Sequence, residues 1–189
     1  HQEARRQRQM CIRDRFVVIH DDDDSWEPEF LARTVSHLDT NGWNGQLGGV
    51  VTWSNLVVEQ IRDDEIVIND RSIFNDQLLA LSLREMAVEN CFPPISFIFH
   101  RAVYETVGPF DQNADVLGDW DFHLRVLSRF DIDVITEALA NYHHRSIDAS
   151  GAYGNSVHAQ RHNHVMRRQK LLNRALREGV QRCSESVEE

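Results

Sequence analysis

Phe16-Val17-Val18-Ile19-His20 is a continuous apolar, β-branched run that stops at a charge cluster, the pattern of a strand buried on both faces. Phe30, Leu31, Thr34, Val35 and Leu38 then recur at helical spacing, and Asn41-Gly42 ends that helix. Asp24 and Ser25 are expected as its N-cap, with Pro28 in its first turn. Residues 47–53, 56–61 and 65–68 read as strands, separated by turn signals at Ser54-Asn55 and Asp63-Asp64. Residues 75–89 read as a helix, 95–100 as a strand, and 102–107 as a short helix closed by Gly108-Pro109. A helix over 119–129 carries Trp120, Leu124 and Leu127 on one face, and a short strand is expected at 132–135. A long Arg- and His-rich helix is expected over 155–178, ending at Gly179. Strands alternating with helices predict an α/β domain with a mixed central sheet flanked by helices.

Charge changes this picture most. The chain of 189 residues has 20 Lys plus Arg and 30 Asp plus Glu, a net charge of -10, which argues against a nucleic-acid partner. The charge is segregated: residues 16–141 hold 7 basic and 23 acidic residues, between two ends that are each +3. Lys170 is the only lysine, so chemistry needing a buried lysine has one candidate. Cys11, Cys91 and Cys183 form no CxxC pair, so neither a zinc ribbon nor a disulfide framework is expected. A reducing, cytoplasmic setting follows as the simplest expectation. No apolar run is long enough for a transmembrane segment.

Residues 1–15 have little apolar periodicity and read as a non-native or disordered leader. Residues 16–145 form the expected domain, and 146–189 a C-terminal loop, helix and frayed tail. The Arg-rich helix suits a solvated face, with peripheral contact to an anionic membrane as the alternative. His158 and His162 are four apart, but without an intervening Glu they point only weakly to zinc.

Two acidic segments carry candidate chemistry. His20-Asp21-Asp22-Asp23-Asp24 follows a buried strand, where open α/β sheets bind ligands. Adjacent carboxylates repel, and a divalent cation with a preference for hard oxygen ligands, Mg²⁺ or Mn²⁺, relieves that cost. Asp21 and Asp23 would face one side of an extended segment. A calcium EF-hand fails, because its sixth and twelfth positions from Asp21 are Trp26 and Ala32. A phosphatase of the haloacid dehalogenase type is weakened, because Ser25 and Lys170 are poor matches to its pattern. The second segment, Gly118-Asp119-Trp120-Asp121, opens a helix, where Asp119 is stabilised as an anion by the free N–H groups. A simple N-cap is the alternative role for Asp119. Asp121 and Arg125, four apart, are expected to pair.

FVVIHDDDDSWEPEFL resembles the strand-DxDD-W-x-P-x-x-L segment of family 2 glycosyltransferases of the GT-A fold. FIFHRAVYETVGPFDQNADVLGDWDFHLRV is similar to their later segment, where a V-G-x-F-D turn precedes an E-D-W-D-like helix start. The resemblance covers roughly residues 16–144, in the right order. It implies a partial GT-A fold and metal-dependent, inverting transfer of a sugar. The partners it implies are a nucleotide-sugar donor and a saccharide or glycolipid acceptor, with Mn²⁺ or Mg²⁺ as cofactor, in polysaccharide or glycoconjugate assembly. Asp21 and Asp23 match the DxD pair, for the donor ribose and the metal, and Asp24 is the adjacent acid. Asp119 matches the base that deprotonates the acceptor hydroxyl. Gly118 departs from the family's glutamate. Trp120 would pack in the core or line the acceptor site. His143, His144 and Arg145 are candidates to complete the metal or diphosphate site. The family's first strand, of the V-S-V-I-I-P-x-Y-N kind, has no counterpart before Phe16, so the stretch reads as the C-terminal part of a catalytic domain with weak donor binding of its own. A metal-dependent phosphohydrolase on the Asp cluster and a non-catalytic acidic binding module are the alternatives.

Overall fold

The computed structural model describes residues 15–62, 65–111, 117–145, 166, 168–174 and 176–177. Among the described residues six strands, β1 (Phe16–Val18), β2 (Ser25–Trp26), β3 (Leu47–Arg62), β4 (Glu65–Ile73), β5 (Phe97–His100) and β6 (Asp131–Arg145), form one sheet. Its order is β1-β5-β3-β6-β2, with β4 also on β3. The β3/β6 pair is parallel and the other pairs are antiparallel, so the sheet is mixed, as expected. Helices α1 (Phe30–Asn41), α2 (Leu83–Val88), α3 (Arg101–Val107) and α4 (Gly118–Leu127) pack around it.

The alternation of side chains along β3 and β5 decides which helix packs where. Val51, Phe97 and Phe99 enter one cluster with Met86 of α2, Val103 of α3, and Trp120 and Phe122 of α4. Val50 and Ile98 point the other way and pack with Leu38 of α1. Helices therefore cover both faces of the central strands, which is why these strands are apolar without alternation.

Several elements depart from their local signals. Ser54-Asn55 is not a turn: β3 runs unbroken for 16 residues. The Ser54 N–H donates to Asn75 Oδ1 at 2.9 Å, and Asn55 Nδ2 donates to Asn141 Oδ1 at 3.0 Å, so turn-forming groups serve as lateral ties. The helix expected over 75–89 shrinks to α2. Ser82 caps it, accepting from the Glu85 N–H at 3.1 Å, while the Leu78 carbonyl accepts the Trp53 indole N–H at 2.7 Å. The strand expected at 132–135 extends to Arg145, through the helix-prone Glu137-Ala-Leu-Ala, because β3 pairs with it along most of its length. Asp24 and Ser25 do not cap α1; Glu29 holds that position, and Ser25 belongs to β2. Residues 168–174 are helical as expected, whereas 1–14, 146–165 and 178–189, with His158 and His162, lie outside the described residues. Among the described residues no helix is long and apolar enough to cross a membrane.

Gly49 shows how tight the centre is. A Cβ there would lie 2.5 Å from the Ile98 carbonyl oxygen and 2.7 Å from Phe97 Cε2. The first neighbour is backbone in a paired strand and cannot give way. Gly49→Ala is expected to lower stability by roughly 3 kcal/mol in urea unfolding; a loss below about 0.5 kcal/mol would contradict this packing.

Candidate functional site

The strand β1 delivers its chain to the acidic cluster, which turns sharply. The Asp24 N–H reaches the Asp21 carbonyl at 3.4 Å, and the chain returns as β2 alongside β6. The cluster is therefore a turn and not the extended segment expected, because Trp26 anchors the return. Its ring stacks on Phe30 with centroids 4.7 Å apart, and its N–H donates to the Ile95 carbonyl at 2.9 Å. The turn separates the four carboxylates: Asp22 is exposed, Asp21 and Asp23 are half-buried, and Asp24 is buried.

Asp24 differs from its neighbours electrostatically. Burial pushes its carboxyl up to about 7, the backbone N–H of His143 pulls it down, and Asp23 and Asp21 add upward pressure. That N–H donates to Asp24 Oδ1 at 2.9 Å and ties the turn to β6.

The C-terminal half of β6 carries the other candidates. Glu59 of β3 is 2% exposed, and its carboxylate accepts from His143 Nδ1 at 3.0 Å and from Arg145 Nε at 3.1 Å. His143 Nε2 lies 3.1 Å from the Ser25 hydroxyl. A carboxylate only accepts, so Nδ1 of His143 carries the hydrogen toward Glu59. Both ring nitrogens are thus engaged, and a metal at Nε2 would have to displace Ser25. Arg145 is oriented by the same buried carboxylate. The His144 ring meets Tyr142 edge-on, with centroids 4.4 Å apart.

The second acidic segment opens α4. Leu117 turns the chain into this helix at φ 62°, a left-handed conformation unusual for a branched side chain. Asp119 lies half-buried in the first turn, and its Oδ2 accepts from Asn90 Nδ2 at 2.9 Å. Asp121 pairs with Arg125 at 3.0 Å, as expected, and also with Arg174. Arg125 further donates to the Gly108 and Pro109 carbonyls at 3.2 and 3.0 Å, fixing the turn after α3. Trp120 takes the core role of its two possible ones. It is 3% exposed, and its indole N–H is spent on the Met86 carbonyl at 2.7 Å, so it presents no face to an acceptor.

Tyr142 links the two segments. Its phenol is pushed far above its ordinary value of 10, first by burial and then by the charges of Asp24, Asp119, Asp23 and Asp21. Segments about a hundred residues apart in sequence therefore act on one hydroxyl. Sequence reasoning passed over Tyr142, Glu59 and Asn90. Tyr142 stands next to the noted histidines, but neither Glu59 nor Asn90 carries a local signal.

Among the described residues no group of three or more His, Cys, Asp or Glu side chains is gathered as a ligand shell. The half-buried Asp21 and Asp23 nevertheless fit Mn²⁺ or Mg²⁺ chemically. Such ions are often held by one or two carboxylates, with water and substrate phosphate supplying the other oxygens. No family model and no curated protein matches this chain.

Proposed function

We propose that the protein is a metal-dependent, inverting glycosyltransferase of the GT-A kind. It would move a sugar from a nucleotide-sugar donor to a hydroxyl of a saccharide or glycolipid acceptor. The observation that carries this reading is the pair of acidic centres: the half-buried Asp21 and Asp23 in a turn tied to β6, and the half-buried Asp119 in the first turn of α4, oriented by Asn90. Two acidic centres of different character are what such a transfer needs. One faces a diphosphate through a cation, and the other faces the acceptor oxygen.

Asp23 and Asp21 would hold Mn²⁺ or Mg²⁺. When bound, that ion offsets the charge that grows on the diphosphate leaving group. Asp119 is the base. One of its oxygens, Oδ2, is held by Asn90, which leaves Oδ1 to receive the acceptor's proton as the oxygen attacks the anomeric carbon. Attack opposite the leaving group inverts that carbon. Buried Asp24 locks the turn to β6 through its bond from His143. Glu59 fixes His143 and Arg145 at the same end of the sheet.

The test is transfer from a panel of nucleotide sugars to saccharide acceptors with Mn²⁺ or Mg²⁺ present. Product is expected with at least one donor, lost on chelation and absent in Asp23→Asn. Equal product with and without chelator would overturn the metal-dependent reading.

A further inference from the structure

His123 stands where an aromatic core residue would suffice. Its ring is fully buried, 4.3 Å from the Phe92 centroid and edge-on to Phe97 at 5.5 Å. Its Nε2 is buried and has no hydrogen-bond partner among the described residues. A buried polar atom left unmatched costs about 1–3 kcal/mol, so the imidazole calls for an account that packing does not supply.

The account lies at its other nitrogen. Nδ1 is 3.2 Å from Asn90 Oδ1, and Asn90 Nδ2 donates to Asp119 Oδ2 at 2.9 Å. The direction of each bond follows from chemistry. An ionised Asp119 can only accept, so the Asn90 NH₂ must face it. The Asn90 carbonyl oxygen then faces His123, and Nδ1 must carry the hydrogen. Nε2 is left as a bare lone pair among aromatic rings. Burial also pushes the imidazole down to about 4, against an upward pull from Asp119, so the ring is neutral at ordinary pH. A neutral Nδ1–H donor is what the Asn90 carbonyl requires.

We propose that His123 and Asn90 are positioning residues for Asp119: the buried imidazole fixes the Asn90 amide, and that amide fixes Oδ2 so that Oδ1 is presented to the acceptor hydroxyl. Asn90 lies in the loop between α2 and the turn before β5, where nothing in the backbone pattern would orient its side chain. His123 lies one turn beyond Asp119 on α4, so the loop is read from the same rigid helix that carries the base. A cation beside Asp119 would compete with proton transfer, whereas a neutral amide aims the carboxylate and leaves its charge in place. The proposal rests on Asp119 acting as the base, and its test has one arm that needs no turnover.

That arm is the His123 tautomer in the full chain, read by long-range proton–nitrogen correlation NMR. Nδ1–H is expected in the wild type, and Asn90→Ala should release the ring to the Nε2–H form or to a mixture. Nε2–H in the wild type would overturn the proposal whether or not any sugar is transferred. The second arm is kinetic. His123→Phe keeps the ring volume and removes the donor, so it should fold. It is expected to lower kcat by roughly ten- to a hundredfold with the acceptor KM little changed. His123→Asn, which restores an N–H near the Nδ1 position, should recover most of that loss. Wild-type kcat in a folded His123→Phe would overturn the positioning role. No transfer by a wild type that shows Nδ1–H would instead count against the transferase reading and leave the hydrogen-bonded support of Asp119 standing.

Discussion

Asp24→Asn is expected to stabilise the metal-free protein by about 4 kcal/mol at pH 8 and to match the wild type near pH 4. The Asp24 carboxyl is 7% exposed and titrates at about 7 in the fold, against an ordinary value of 3.8. Between those two values the folded chain holds a proton on Asp24 that the unfolded chain has released. Stability therefore falls as pH rises through that window, and above about 7 the fold carries an ionised, buried carboxylate. A gap of about three pH units at 1.36 kcal/mol each gives the stated size. Asparagine is nearly isosteric, and its carbonyl oxygen can still accept the His143 N–H. Urea unfolding of both proteins from pH 4 to 8, with chelator present, checks it. The difference between the two curves should open steadily with pH. Parallel curves would mean that Asp24 is ionised without penalty, and the buried tie to β6 would need another explanation.

Asp119→Asn is expected to remove transfer by about two to four orders of magnitude while leaving the fold intact. The substituted amide can still accept from Asn90, so the loop and the start of α4 keep their tie. What disappears is the ability to take a proton. The metal-dependent thermal shift should persist in this variant, because Asp21 and Asp23 are untouched, and should vanish in Asp23→Asn. That pattern separates the transferase from a phosphohydrolase built on the Asp cluster, which has no use for Asp119. Full activity in Asp119→Asn would sink the assignment of the base. Loss of the thermal shift in Asp119→Asn would mean that the two acidic centres are one site.

Legibility in the sequence followed the range of the forces involved. The acidic segment was visible because an apolar, β-branched run ended abruptly in carboxylates. Asp119 was visible because a glycine and two acids open a helix with a clear apolar face. The Asp121–Arg125 pair was visible because four residues make one helical turn. Glu59, Asn90 and Tyr142 were not visible as site residues. Glu59 meets His143 and Arg145 only because β3 and β6 are parallel and in that register. Asn90 meets Asp119 only because its loop packs against α4. Local preference was overridden in the same way at Ser54-Asn55 and at Glu137-Ala-Leu-Ala, where pairing along a long parallel ladder outweighs weak turn and helix signals.

The sequence by itself determined the α/β class, the two acidic segments and the segregation of charge around them. These follow from periodicity and from chemistry within a few neighbouring residues. Only the tertiary structure decided that the Asp cluster folds into a turn with one buried carboxyl, that both acidic segments act on Tyr142, and that Trp120 belongs to the core. It also decided that Gly49 has no room for a methyl group. Each of these depends on which strand lies beside which, and on the low-dielectric surroundings which that neighbour creates.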